Sequence, residues 1–294
     1  MKSIQPFFSI IIPTYNRSSI VKNVIFRILN QSFIDFELIV VDDGSEDDTT
    51  KQLMPYFEDP RFQYIYQSNR GVSAARNHAA SLAKGEYILF LDSDDHPSTS
   101  ILADFHERIN QDSNIELVFS QMEHDGKIKG LKINRHVFGL PVSVIPGTYC
   151  IKRTIFLKSG GFDESLSHSE NWELIVRIGH LNIITSAQIG ILKKITLYYT
   201  ARYTREKLLR NKENKIASYS SLFFKHRRGT VYPRFMVASF AQTAANNYAG
   251  LGRFSSAILW TLKSIQAYPF TLTNYYKPLF IYIKRRLIDY PKSI

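Results

Sequence analysis

Gly85-Glu86-Tyr87-Ile88-Leu89-Phe90-Leu91-Asp92-Ser93-Asp94-Asp95 joins an unbroken apolar run to a cluster of carboxylates. Tyr87–Leu91 has the pattern of a short strand buried on both faces. Asp92, Ser93, Asp94 and Asp95 follow at once, and Pro97 stops the strand. Carboxylates gathered at the carboxyl end of a central strand repel one another unless positive charge sits among them. A hard divalent cation takes oxygen ligands, and Mn2+ or Mg2+ often shares them with a substrate phosphate. An Asp-rich loop that caps the next helix is the alternative.

Upstream, Phe7–Ile12 repeats the buried-strand pattern and is closed by Pro13-Thr14-Tyr15-Asn16-Arg17. Ser18 or Ser19 can cap a helix whose apolar positions, Ile20, Val21, Val24, Ile25, Ile28 and Leu29, recur at helical spacing. Phe36–Val41 predicts a second strand, which also ends in carboxylates, Asp42-Asp43-Gly44-Ser45. Thr49–Phe57 predicts a helix, Phe62–Tyr66 a strand, and Gly71-Val72-Ser73-Ala74-Ala75-Arg76-Asn77 opens a helix running to Ala83. Strands and helices alternate through short connections, the pattern of a mostly parallel α/β sheet. Ligands in such sheets bind outside the carboxyl ends of the strands, where Tyr15, Asp43 and Asp94 fall. Neither Gly-x-Gly-x-x-Gly after the first strand nor Gly-x-x-x-x-Gly-Lys-[Ser/Thr] occurs, so phosphate charge is left to a metal rather than to a glycine-rich loop.

Downstream, Ile115–Ser120 predicts a strand, with short pieces at Lys127–Leu131 and Val142–Ile145. Gly160-Gly161-Phe162-Asp163-Glu164 is turn chemistry ahead of a helix over Glu170–Ile178. After Tyr199 the signal is helical, over Thr204–Ser221, Tyr232–Leu251, Arg253–Gln266 and Tyr275–Tyr290.

The net charge of +11 is unevenly spread: from Ile195 to Ile294, 17 basic residues face only Glu206, Glu213 and Asp289, a net of +14 that leaves the front at −3. Such a tail suits an anionic partner, either a membrane surface or a nucleic acid. No nucleic-acid motif accompanies it and the front is lined with carboxylates, so no nucleic acid is expected. Clusters such as Lys225-His226-Arg227-Arg228 and Tyr282-Ile283-Lys284-Arg285-Arg286 suit peripheral contact with anionic headgroups, with a solvated helix face as the alternative. A single cysteine, Cys150, excludes an internal disulfide and fits a reducing cytoplasmic compartment. Phe7–Ile12 is too short for a signal peptide, and no stretch reaches the roughly 18 apolar residues of a membrane span.

Phe8-Ser9-Ile10-Ile11-Ile12-Pro13-Thr14-Tyr15-Asn16-Arg17, Val41-Asp42-Asp43-Gly44-Ser45, Gly71…Ala75-Arg76-Asn77 and Gly85-Glu86-Tyr87…Asp92-Ser93-Asp94-Asp95 together resemble the family 2 glycosyltransferases. The likeness runs from about Phe7 to Arg177. It implies the GT-A fold, a Rossmann-like sheet flanked by helices, and inverting transfer from a nucleotide-diphosphate sugar with a divalent metal. Carried over by position, it implies that Pro13, Thr14 and Tyr15 line the base pocket, with Tyr15 stacked on the ring, and that Asp43 hydrogen-bonds the base. Arg76, Asp92 and Ser93 would contact the donor, and Asp94 the metal. Uridine as the base comes from the family alone.

An inverting displacement also needs a carboxylate to take the proton of the attacking hydroxyl. The family supplies it as the Asp of a Glu-Asp pair, whereas the pair here reads Glu170-Asn171. Asn is no base. Glu170 is adjacent and competent, and Glu173 is one helical turn away. A chain that binds the nucleotide sugar but turns it over poorly, as a scaffold protein, is the other reading. The expected organisation is a GT-A unit over 1–205, with a nucleotide half to about 115 and an acceptor half beyond it, then a basic helical extension over 206–294. Trp260, Leu259 and Ile265 call for burial, which predicts that the extension packs partly on the first unit. The acceptor would be a saccharide, free or lipid-linked, as in cell-surface polysaccharide assembly.

Overall fold

The computed structural model describes residues 5–129, 144–199, 205–228 and 232–268. The chain divides into two compact units, Met1–Glu164 with Glu170–Ala201, and Ser165–Ser169 with Arg202–Ile294.

The first unit runs β1 (Phe8–Thr14), α1 (Val21–Leu29), β2 (Phe36–Asp42), α2 (Thr49–Leu53), β3 (Phe62–Tyr66), α3 (Val72–Leu82), β4 (Tyr87–Phe90), β5 (His96–Pro97), α4 (Ile101–Asn110), β6 (Leu117–His124), β7 (Lys127–Lys129), β8 (Tyr149–Lys152), α5 (Arg153–Lys158), α6 (Glu170–His180) and β9 (Ile189–Tyr199). The strands form one sheet in the order β3-β2-β1-β4-β8-β6-β9-β5, with β7 on β6. β3, β2, β1 and β4 are parallel, and β8 joins β4 antiparallel. Every residue of β1 is buried, as expected of a central strand covered on both faces. On one face α1 contributes Val21, Val24, Ile25 and Ile28 to the core, at the spacing of a single helical stripe. The expected α/β class, with a mostly parallel sheet, is the observed one.

Several local expectations need correction. No serine side chain caps α1; its N-cap is Ile20, and the Ser18 N–H instead donates to Asp47 Oδ2 at 3.0 Å. The helix from Thr49 stops at Leu53 and continues as a 3-10 turn over Met54–Tyr56, because Pro55 removes an amide donor. β9, the longest strand described, went unread in the sequence. Its exposed Lys193 and Lys194 break the apolar pattern, and Lys194 Nζ pairs with Asp104 at 2.6 Å and Glu107 at 3.1 Å. Cys150 is fully buried in β8, as its small apolar character suggests.

Gly85 fixes how β4 enters the sheet. Its N–H donates to Ser9 Oγ at 2.8 Å, and Ser9 Oγ donates to Glu37 Oε1 at 2.5 Å. A Cβ there would lie 2.4 Å from Ser9 N and 2.5 Å from the Phe8 carbonyl carbon, both backbone atoms that cannot step aside. Gly85→Ala is therefore expected to destabilise the fold by about 1–3 kcal/mol through overpacking. Denaturant titration of the purified variant checks this, and an unchanged midpoint would contradict it.

The second unit is helical: α7 (Arg205–His226), α8 (Arg234–Gly250) and α9 (Phe254–Ala267). Phe223, Phe240 and Trp260 are buried among these helices, but Leu259 is exposed, contrary to expectation. It precedes Trp260 by one position and so lies on a different face of α9. The expected helix over Tyr275–Tyr290, with the Lys284-Arg285-Arg286 cluster, lies outside the described residues. Among the described helices none is long and apolar enough to cross a membrane.

Candidate active site

Because β1, β2, β3 and β4 are parallel, their carboxyl ends open on one edge of the sheet, and the motifs converge there. The Thr14 carbonyl accepts the Asp43 N–H at 2.8 Å, which ties the ends of β1 and β2 together. The Asp43 carboxylate accepts Gln67 Nε2 at 2.7 Å, Arg70 N at 2.9 Å and Gly71 N at 2.8 Å. It therefore braces the turn into α3, where Gly71 adopts φ 90°, and does not cap the helix at Thr49. Tyr15 stands at the same edge and is 44% exposed. Beside it, residues 16–18 are stitched to 45–49: Asn16 N donates to Ser45 Oγ at 2.9 Å, Glu46 N to Asn16 Oδ1 at 2.9 Å, and Arg17 N to Thr49 Oγ1 at 3.0 Å.

Arg76, on α3, is the centre of the electrostatics. Its side chain is 2% exposed and bridges two carboxylates, Asp92 through Nη2 at 2.5 Å and Glu170 through Nη1 at 2.9 Å. It also lies over the Phe162 ring at 5.4 Å. Burial works against its charge, but the two carboxylates outweigh burial and raise its pKa. The next residue faces another way: Asn77 donates to the Phe162 carbonyl and accepts the Phe162 N–H, closing the turn that leads toward α6.

Glu170, Asn171 and Tyr149 form the opposite wall. The Tyr149 hydroxyl donates to Asn171 Oδ1 at 2.6 Å, and Asn171 Nδ2 donates to Glu170 Oε1 at 2.7 Å. Burial pushes the Tyr149 phenol up, so it remains a donor. Glu170 Oε1 thus receives both Arg76 and Asn171, while Oε2 takes no hydrogen bond among the described residues. Glu173 points elsewhere. Its two oxygens each lie 2.8 Å from the Arg177 guanidinium, which in turn binds the carbonyls of Ser159 and Gly161. Of the two candidate bases, only Glu170 joins the cluster.

Asp92, Asp94 and Asp95 each offer an oxygen within a 4.8 Å span. Ser93 is buried between them, Asp94 is exposed, and Asp95 Oδ2 accepts the Asp92 N–H at 2.7 Å. Burial raises the Asp95 pKa well above the usual carboxylate range, with Asp92 adding to it. Asp92 is also pushed up, by desolvation, Glu170 and Asp94 against the opposing Arg76. A set of hard oxygen donors that repel one another fits a divalent cation. Nearby in the fold, Thr14 Oγ1 at the end of β1 and Ser73 Oγ in the first turn of α3 are buried hydroxyls without a partner among the described residues.

The sequence named Arg76 but not its double bridge, and it missed Tyr149, Asn77 and Asp95. Tyr149 carries no motif, and its partner lies 22 positions away. Asp95 belongs to the same carboxylate cluster, yet nothing in sequence distinguishes its buried carboxyl from the exposed one of Asp94.

The family described as "Glycosyl transferase family 2" matches residues 9–185. Among curated relatives, chondroitin synthase of Escherichia coli is 27% identical over 185 residues, covering 60% of this chain and 27% of that protein. The chain thus spans about a quarter of that relative's length. Among solved structures, S. aureus TarS 1-349 in complex with UDP-GlcNAc superposes with TM-score 0.63 at 21% identity, covering 88% of this chain and 81% of that one. Mannosyltransferase PcManGT from Pyrobaculum calidifontis, in complex with GDP-Man and Mn2+, does so with TM-score 0.54 at 16% identity, covering 99% and 89%.

Proposed function

The chain belongs to glycosyltransferase family 2, and from that premise we propose that it transfers a sugar from a nucleotide-diphosphate sugar, UDP-linked, to a saccharide acceptor, free or lipid-linked, with inversion at the anomeric carbon. The observation that carries this reading is the Arg76 bridge, which brings Asp92 of the Asp92-Ser93-Asp94 motif and Glu170 of the altered Glu-Asn pair to one guanidinium. The UDP-GlcNAc bound by TarS and the polymer named in chondroitin synthase support the donor and acceptor classes.

In this reading Tyr15 stacks on the base, Pro13 and Thr14 line its pocket, and Asp43 accepts a base N–H with the one lone pair its three donors leave free. Asp92 and Ser93 contact the ribose and donor sugar. Arg76 holds Asp92 and Glu170 in fixed positions. The acceptor hydroxyl attacks the anomeric carbon opposite the leaving group; the new C–O bond forms as the bond to the diphosphate breaks, and the hydroxyl proton passes to Glu170 Oε2. Mn2+ or Mg2+ held by Asp94, with Asp92 and Asp95 beside it, would neutralise charge developing on the departing nucleoside diphosphate.

UDP is expected to raise the melting temperature only when Mn2+ or Mg2+ is present, and Asp94→Asn is expected to remove that dependence while the ligand-free fold stays intact. Equal stabilisation by UDP in excess EDTA would overturn the metal assignment. Turnover itself is read as release of UDP from a panel of UDP-sugars offered with saccharide acceptors. Asn171 in place of the family Asp favours a second reading, a nucleotide-sugar-binding scaffold. Donor binding without turnover on any acceptor would select it.

A further inference from the structure

The second unit carries a cavity of about 450 Å3 lined by Arg227, Arg228, Arg234 and Lys263, with Phe223 and Val237 among its apolar walls and no carboxylate among its described lining residues. None of these four cations forms an ion pair among the described residues. Three of them stand near helix ends that favour positive charge, Arg227 and Arg228 just past the end of α7 and Lys263 in the last turns of α9. Arg234 does not. It is the first residue of α8, where the helix presents its own positive end, and α8 begins on Pro233 with no side-chain cap. A cation at the wrong end of an uncapped helix, beside three others, leaves positive charge that nothing described in the chain compensates.

The helices that line this cavity also carry apolar side chains outside it. Lys263 Nζ lies 4.7 Å from the Phe224 ring and 4.1 Å from that of Trp260. Phe224 is exposed, as are Phe235 next to Arg234 and Ile258, Leu259 and Leu262 on α9. Cations gathered in a cavity, on helices that also expose aliphatic and aromatic side chains, match the two layers of a lipid interface, headgroup phosphate and acyl boundary. We propose that the cavity binds a phosphate group, and that this phosphate belongs to an anionic lipid headgroup. The fork of an arginine matches phosphate oxygens two at a time, and the α8 terminus adds its own donors. This binding does not depend on the transfer reaction and stands or falls apart from it.

The test uses the full chain and vesicles of phosphatidylcholine with or without phosphatidylglycerol. Arg228→Ser/Arg234→Ser is compared with Lys158→Ser/Lys193→Ser, an exposed pair in the first unit with the same loss of charge. The wild-type chain is expected to sediment with the anionic vesicles only. The cavity pair is expected to lower that binding about ten-fold or more, and the control pair less than about two-fold, since each cation at an anionic surface contributes on a similar scale only where it makes contact. Equal losses for the two pairs would reduce the effect to diffuse charge and overturn the site, as would no vesicle binding at all together with no response to soluble phosphate. A second arm adds inorganic pyrophosphate in EDTA, so that no metal-borne site contributes. Thermal protection that the cavity pair loses supports the phosphate site. If that protection appears without any binding to vesicles, the site is kept and its lipid source is overturned.

Discussion

Glu170→Gln is expected to lower the transfer rate by about 10²–10⁴-fold, the usual cost of losing a general base, with donor binding barely changed. The side chain keeps its shape and can still accept from Arg76 and Asn171 through Oε1, so the loss falls on Oε2, the oxygen left open in the structure. Glu173→Gln is the necessary companion. Because Glu173 is held by Arg177, its replacement should act on stability rather than on rate. A large loss of rate at 173 with none at 170 would move the base. Asn171→Asp adds a second test. It replaces the donor 2.7 Å from Glu170 Oε1 with a carboxylate oxygen, and two carboxylates at that distance share a proton. The base must be ionised to act, so the acid limb of the pH–rate profile should move to higher pH. An unmoved limb would separate Asn171 from the base.

Arg76→Met is expected to cost about 3–5 kcal/mol of stability, because it strips the positive partner from two carboxylates at once. The lower end of that range is the better expectation, since the Asp92 side chain retains 41% exposure and some water. The loss should also depend on pH. Burial already holds Asp92 above the usual carboxylate range, and losing Arg76 removes the charge that opposes this, so its folded-state pKa rises further. Stability that depends on its protonated form is present below the unfolded value near 4 and falls away as pH rises. The deficit, read from urea titrations, should therefore be large at pH 7 and shrink toward pH 4. A deficit equal at both pH values would point to lost packing of the Arg76 stem instead.

The first half of the sheet was legible because its strands are central. Phe8–Thr14 and Phe36–Asp42 are buried on both faces, which writes continuous apolar runs into the sequence. The second half is written otherwise. Tyr149–Lys152 is four residues long, Ile189–Tyr199 carries lysines in its middle, and His96–Pro97 is too short for any periodicity. The site was legible as residue types and not as a network. Arg76 reaches Asp92 across 16 positions and Glu170 across 94, separations that only the fold closes. Glu173 was misleading for a local reason. A helical turn brings it near the face of Glu170, but Arg177 at i+4 holds both of its oxygens.

The seam between residues 16–18 and 45–49 bears on how a ligand would enter. In many binding sites, loops pay their ordering entropy when the ligand arrives, which weakens affinity. Here the backbone N–H groups of the turn beside Tyr15 donate to the Ser45, Asp47 and Thr49 side chains, and Asn16 sits at φ 50° in that turn. That ordering is completed when the chain folds. A planar ring arriving at Tyr15 would meet a preorganised wall on this side, with no ordering of the 16–18 turn to wait for.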